Sequence, residues 1–275
     1  MRIARRSVVI VLVFGIGLVA SAGLARADDT AWKAAHDTDP HLALTAEQLA
    51  MTAAKRAAET TPAAPFFARM SVPSSECGTG CGGTGNYPAS ASIAANQTPQ
   101  TTSYYCAPAA VHEALDAVGV SLSQSAAAAA LHTTTAGTAW SGGGTSPSGY
   151  PVPDVLNRYQ SRNYYVPQPV SSATSSAINA YENDLEMDID ALRVAVVGDA
   201  WETAYSDYHL VGHPRNQTIL HWFEIRGYQS AGASTMYEDS VHGASSIGWS
   251  ATVPAYSTFP SNGIVSIVSG RGYVW

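Results

Sequence analysis

The chain has 275 residues, with 14 Lys plus Arg against 21 Asp plus Glu, giving a formal net charge of −7. So acidic a chain offers no electrostatic footprint for nucleic acid and no basic amphipathic helix for anionic lipid, which excludes both as partners on charge. Its length is enough for one sizeable core or two small ones.

The N-terminus reads as a targeting segment. Arg2, Arg5 and Arg6 form a basic stretch, residues 7–23 are apolar, and Ala25 and Ala27 place small residues at the −3 and −1 positions of a cleavage site. That is the pattern of a secretory signal peptide, so the chain is expected to be secreted, with the cut between Ala27 and Asp28. No later segment is long and apolar enough to span a bilayer, so no membrane contact is expected after cleavage. Loss of Arg2, Arg5, Arg6 and Arg26 takes Lys plus Arg from 14 to 10 against 21 acids, and the net charge from −7 to −11.

Residues 28–60 are Ala-rich and helical in tendency. Thr45 to Gln48 reads as a capping box opening a short helix, with Leu44 and Leu49 as a staple pair. Residues 61–90 have a linker composition. The leading segment 28–90 is read as a pro-segment, a strap on the domain or a spacer, and the main domain is expected from about residue 91 to the C-terminus. Within it, helices are expected over 107–118, 123–132 and 152–160, and more weakly over 173–191. Strands are expected over 193–199, 218–229 and 234–240, with NGIVSIVSG, residues 262–270, as the last. A helical half followed by mostly antiparallel strands argues an α+β domain.

Three cysteines in an exported chain are an odd number. Cys77 and Cys81 lie close together in a Gly-rich stretch, and export favours their oxidation to a disulfide. A metal site there lacks further ligands nearby in sequence. Pairing these two leaves Cys106 over. Cys106 stands just before an apolar helix pattern in QTTSYYCAPAAVHEAL, residues 100–115. Core filler, a disulfide half, a metal ligand and a nucleophile are the open readings. A nucleophilic thiol needs help to ionise, and the start of a helix supplies it through unpaired N–H groups and the dipole.

Strand 218–229 adds a histidine. Alternation puts Ile219, His221, Phe223 and Ile225 on one face and Leu220, Trp222, Glu224 and Arg226 on the other. His221 therefore faces the interior, where it is either a satisfied core histidine or a base for Cys106. Its second nitrogen needs an acceptor, and Asp239 lies one hairpin away. Glu238 alternates to the other face. Gln100, upstream of the cysteine, is an oxyanion donor together with the Cys106 N–H, or an ordinary loop glutamine. His112, Glu113 and Asp116 lack the second histidine of a zinc-hydrolase helix. Gly212 and Pro214 argue against a helix presenting His209 and His213, which are expected in a loop beside the site.

These residues carry a resemblance. Gln100, five residues, then Cys106-Ala107-Pro108-Ala109-Ala110; HWFEIRGY at 221–228; and YEDS at 237–240 resemble the papain-like cysteine peptidases. The match is nearest to the bacteriocin-processing, cysteine peptidase family 39-like domains, and the terminal RGYVW is similar to secreted actinobacterial members. Ala107 stands where that family usually has glycine. The resemblance implies a papain-like fold over residues 96–275, with N-terminal helices carrying the cysteine packed on a mostly antiparallel sheet carrying the histidine and aspartate. It implies Cys106 as nucleophile, His221 as base and acid, Asp239 as its orienting partner, Gln100 at the oxyanion, a peptide or protein substrate, and no cofactor or metal. The rival expectations are an amidase or transpeptidase acting on cell-wall peptides, and a non-catalytic binding protein on the same fold.

Overall fold

The computed structural model describes residues 29–39, 41–59, 87–142 and 146–275. The expected signal segment with its Ala27/Asp28 cut, and the Cys77/Cys81 pair, lie outside the described residues. No helix among those residues is long and apolar enough to cross a membrane.

Two helices lead, α1 (Asp29–His36) and α2 (Ala46–Glu59), followed by a short strand β1 (Ala91–Ser92). The helical half is α3 (Cys106–Asp116), α4 (Gln124–Leu131) and α5 (Pro151–Tyr159). Then come β2 (Pro167–Pro169), α6 (Ser175–Glu186), a π-helical turn (Met187–Leu192), β3 (Val196–Glu202), β4 (Ile219–Gln229), β5 (Ser234–Glu238), β6 (Tyr256–Pro260), α7 (Ser261–Val268) and β7 (Gly272–Val274). The sheet runs β2-β7-β3-β4-β5-β6, with every pairing antiparallel, and β1 takes the part of the β4 edge that β3 leaves free. The fold is thus α+β, with helices packed on an antiparallel sheet.

Local chemistry explains most of these elements. Ser123 caps α4 by accepting from the Ala126 N–H at 3.2 Å. Helix α3 is buried nearly all round, and its small residues Ala107, Ala110 and Ala114 let its backbone approach β4. Strand β4 bulges between Ile225 and Gly227. Gly227 is needed there, because a Cβ would stand 2.7 Å from the Ala91 carbonyl oxygen of β1.

One expected strand is a helix. In NGIVSIVSG the aliphatic side chains Ile264, Val265, Ile267 and Val268 are all buried, with Ser266 only partly buried. That spacing is helical, since alternation would bury Ile264, Ser266 and Val268 together. The run forms α7, which packs on β3. The closing strand is instead β7, within the terminal RGYVW. Strand β3 also begins three residues later than expected, because Arg193 takes a left-handed conformation that closes the π-helical turn.

The leading segment packs on the sheet-bearing half through buried cations. Lys33 of α1 reaches the Ser266 carbonyl oxygen at 3.1 Å and Ser269 Oγ at 3.3 Å, so its charge sits at the carbonyl end of α7. Lys55 of α2 is paired with Asp188 at 2.9 Å, donates to Asn163 Oδ1 at 3.1 Å and lies over the Trp275 ring. Arg56 meets Asp184 at 3.2 Å and Gln168 at 2.8 Å. The capping box is present: Thr45 and Gln48 exchange bonds of 2.9 and 3.1 Å. Leu49 is 55% exposed, so the expected staple does not close on it.

Lys55→Ala should destabilise the protein by about 3 kcal/mol at pH 8, the cost of leaving one partner of a buried pair uncompensated. Burial pushes Asp188 up to about 6 even with its lysine present. The loss should therefore shrink at pH 5, where Asp188 takes a proton instead. Denaturant titrations at the two pH values measure the difference.

Candidate active site

Cys106 is the first residue of α3, where backbone N–H groups have no acceptor within the helix. The loop before it is tied down at several points. Gln97 Nε2 donates to the Asp239 and His242 carbonyl oxygens at 3.0 and 3.1 Å. The Thr98 N–H donates to Glu113 Oε1 at 2.7 Å, the Gln100 N–H to the Ser240 carbonyl oxygen at 2.8 Å, and the Thr101 N–H to Gln124 Oε1 at 3.0 Å. The start of α3 is thereby fastened to the turn that follows β5.

His221, in the middle of the sheet on β4, is 3% exposed. Its Nε2 lies 3.1 Å from Asp239 Oδ1, and its imidazole is close enough to Cys106 for the two side chains to interact. Nδ1 is the nitrogen left for the sulfur. Burial works against the imidazolium, but the Asp239 charge, the hydrogen bond to Asp239 and the neighbouring Cys106 hold its pKa well above the ordinary histidine value. The structure thus brings Cys106, His221 and Asp239 together, with His221 bonded to Asp239 and beside Cys106.

Asp239 sits just past the end of β5 and is fully buried. Its Oδ1 accepts from the Val241 N–H at 2.9 Å as well as from His221, and its Oδ2 meets His213 Nε2 at 2.9 Å. Burial alone would favour the protonated acid. The His221 charge and the bonds from His213 and His221 outweigh it and hold Asp239 well below the usual carboxylate range.

His213 occupies the loop between β3 and β4, as expected, and so does His209. Gly212 makes the turn into it with φ +85°, and the Thr252 carbonyl fills the space a Cβ would need. His213 Nδ1 lies 3.0 Å from Glu202 Oε2, at the end of β3, and His209 Nδ1 is 3.0 Å from the same oxygen. Glu202 also accepts from the Leu210 N–H at 3.1 Å. Burial opposes its ionisation, yet the adjacent His209 and the hydrogen bond with His213 bring its pKa down to about 2. For His213 burial again disfavours the cation, and the bonds to Asp239 and Glu202 raise its pKa above the ordinary value. Sequence reasoning placed His213 beside the site but gave it no role, and passed over Glu202, whose only signal was a charge at the end of an apolar strand.

Gln100 is 3% exposed. Its Oε1 accepts from Ser240 Oγ at 3.1 Å, and one Nε2 hydrogen goes to the Thr102 carbonyl at 2.8 Å, leaving the second hydrogen of the carboxamide. His112, Glu113 and Asp116 do not converge. His112 bonds the Leu122 carbonyl at 2.8 Å, Glu113 holds Thr98, and Asp116 accepts from Asn96 at 3.2 Å. Among the described residues the one cluster with metal-ligand spacing is His213, His221 and Asp239, whose ligating atoms lie within 4.8 Å of one another. Its contacts of 2.9 and 3.1 Å have hydrogen-bond lengths, so a cation would have to displace the protons that bridge them.

A cavity of about 350 Å³ opens beside Cys106. Leu131, Leu220 and Trp222 line it, with Asp39, Asp199 and Arg271 as its charged members. Arg271 pairs with Asp39 and lies 3.6 Å from Asp199 Oδ2. Burial pushes Asp199 up to about 7 despite that arginine. Near the sulfur-bearing helix lies a second acidic group: Glu224 and Glu238 are directly opposed on β4 and β5, close enough to Glu113 to feel its charge. Burial and mutual repulsion raise Glu224 well above its ordinary value, and burial raises Glu238 to about 7.

Comparison with known proteins gives one family. The sequence model of the Peptidase C39-like family matches residues 92–258, which span β1 to the middle of β6 and include Cys106, His221, Asp239 and Gln100. No curated protein matches the chain.

The acidic group carries a pH signature. A buried Glu224 keeps a proton that the unfolded chain releases above the ordinary value of 4.5, so the folded state loses stability as pH rises from there. Glu224→Gln removes that dependence. Its melting temperature relative to wild type should be higher at pH 8 than at pH 5, by the equivalent of about 1 kcal/mol or more. Calorimetry at both values checks the sign; an equal offset at both would show that Glu224 is ionised throughout.

Proposed function

Because the chain belongs to the Peptidase C39-like family, we propose that it is an exported cysteine peptidase that cleaves peptide bonds through an acyl-enzyme on Cys106. The observation that carries this reading is the line Cys106–His221–Asp239, with the sulfur at a helix start and the imidazole anchored on an ionised carboxylate.

The chemistry follows from that arrangement. The Cys106 sulfur, its proton held by His221, attacks the scissile carbonyl carbon. Negative charge moves to the carbonyl oxygen, where the Cys106 N–H and the second Gln100 Nε2 hydrogen are the available donors. The tetrahedral species collapses, the C–N bond breaks, and the His221 imidazolium gives its proton to the leaving amine. A thioester remains. His221, now neutral, takes a proton from water as it attacks the thioester carbonyl. The acid product leaves and the sulfur regains its place beside the imidazolium. Asp239 holds the ring through Nε2 so that Nδ1 faces sulfur in every step, and does not itself change protonation. The cavity beside Cys106, walled by Leu131, Leu220 and Trp222, receives an apolar part of the peptide.

Cys106 should be alkylated readily by a thiol reagent in the wild type, and His221→Ala should slow that alkylation. Cys106→Ala should abolish peptide cleavage. Gln100→Ala should leave alkylation nearly intact yet lower turnover by ~100-fold. Asp239→Asn should lower turnover less than loss of Cys106 does. Intact-mass labelling across pH reads the thiol, and a peptide-library digest reads cleavage. Equal alkylation rates in wild type and His221→Ala, with no peptide cleaved, would put the non-catalytic binding reading in place of this one.

A further inference from the structure

The His213 ring is fully enclosed, and each of its nitrogens faces a carboxylate oxygen: Nε2 is 2.9 Å from Asp239 Oδ2 and Nδ1 is 3.0 Å from Glu202 Oε2. A carboxylate oxygen accepts and does not donate, and a neutral imidazole carries one N–H only. A neutral His213 would leave one lone pair facing a carboxylate lone pair inside the protein, a repulsive contact shielded from water. Two N–H groups satisfy both contacts. The surroundings hold the counter-charge: Glu202 on β3, kept ionised, and Asp239 after β5, also ionised. The other groups facing this pair are His209 from the same loop, His221 from β4, the Trp249 ring at 4.8 Å, the Tyr237 hydroxyl on the Val211 N–H, and Glu113 of α3, which feels the Asp239 charge. No Lys or Arg among the described contacts supplies a positive charge to Asp239.

We infer that His213, doubly protonated between Glu202 and Asp239, is a positioning residue of the reaction: it fixes the Asp239 carboxylate toward His221 and, by its charge, sets the pH at which His221 gives up its proton. The inference rests on the Cys106–His221 reading above. Asp239 has two oxygens and two imidazoles to serve. His213 occupies Oδ2 and Val241 shares Oδ1, so the carboxylate cannot rotate away from His221 without breaking a charged bond. The charge acts in addition. The two rings are 5.3 Å apart, and an imidazolium at that distance disfavours a second one. Asp239 on its own would hold the His221 proton more tightly; His213 offsets part of that pull and keeps His221 able to release its proton to a leaving amine. Glu202 acts one step further out, by keeping His213 charged.

The test uses the intact protein labelled with 15N-histidine, with Cys106 alkylation and peptide turnover measured in parallel. His213 should show two protonated ring nitrogens at neutral pH; a single one overturns the inference. Glu202→Gln keeps the shape and removes the counter-charge, so His213 should lose its second proton at lower pH than in wild type. His213→Gln keeps one donor for Asp239 and removes the charge, so His221 should titrate at higher pH, by about one unit or more. The alkaline limb of turnover should move with it. His213→Leu removes the donor as well and should lose clearly more turnover than His213→Gln. A merely structural His213 would lower the melting temperature of these variants and leave the His221 titration where it is, which also overturns the inference. If His213→Gln fails to fold, the wild-type spectrum and Glu202→Gln still decide. A Cys106 alkylated no faster in wild type than in His221→Ala, beside a doubly protonated His213, would instead sink the peptidase reading and leave the protonation finding standing.

Discussion

An anion fully enclosed in protein is the constraint around which this site is organised. Asp239 is out of water, and its ionised form survives there only because three donors converge on it: His221 from β4, His213 from the β3–β4 loop and the Val241 N–H from its own turn. Each donor comes from a different part of the chain. The strand supplies one fixed side chain, the turn bends back so that its own backbone reaches Oδ1, and the long loop folds inward to deliver an imidazole where solvent would otherwise enter. β5 ends at Glu238, and the Asp239 N–H bonds the Ala255 carbonyl in continuation of the β5–β6 register.

The same turn joins the two halves of the fold. Ser240 accepts the Gln100 N–H at its carbonyl and holds the Gln100 side chain with its hydroxyl, while Gln97 reaches the Asp239 and His242 carbonyls. The loop that delivers Cys106 and the turn that delivers Asp239 are therefore one hydrogen-bonded unit. A thiol at the start of α3 and an imidazole on β4 need a common reference to meet, and this unit provides it. The short length of these bonds to backbone groups matters because backbone positions, unlike surface side chains, carry little rotamer freedom.

How far the sequence foretold this depends on the range of each signal. The alternation in 218–229 is local, and it put His221 on a buried row, but the opposite row with Trp222 and Glu224 is buried as well. Asp239 was reachable because a hairpin brings close residues that are only 18 apart in sequence, a geometry that the Gly-containing turn announces. The α3 start at Cys106 followed from the apolar helix pattern beside Pro108. Glu202 and His213 were not legible as a pair. They lie in different elements, and what makes them partners is the β3–β4 register and the inward fold of a long loop, neither of which leaves a periodic trace. The misread of NGIVSIVSG has another origin: a short apolar run satisfies both periods, and only the polar Ser266 breaks the tie. The closing strand was missed because RGYVW is short and its pairing with β2 and β3 is set by distant residues.

The cavity beside Cys106 shows how the leading segment enters the chemistry. Thr38 and Asp39, between α1 and α2, line it together with Cys106, Asp199 and Arg271. Asp39 pairs with Arg271 and accepts the Trp140 N–H at 2.8 Å, so one carboxylate both neutralises the arginine in the cavity wall and pins the loop that carries Trp140 against Trp222. Residues 29–59 make further contacts of the same kind at Asp184, Asp188 and the end of α7. Taking the segment away would leave two buried aspartates without their cations and expose the Trp275 ring, at a cost comparable to the whole stability of an ordinary domain. A charged wall that depends on α1 and α2 ties what the cavity accepts to residues far from the sulfur in sequence. Burial raises Asp199 to about 7 beside Arg271, so its charge responds to whatever occupies the space.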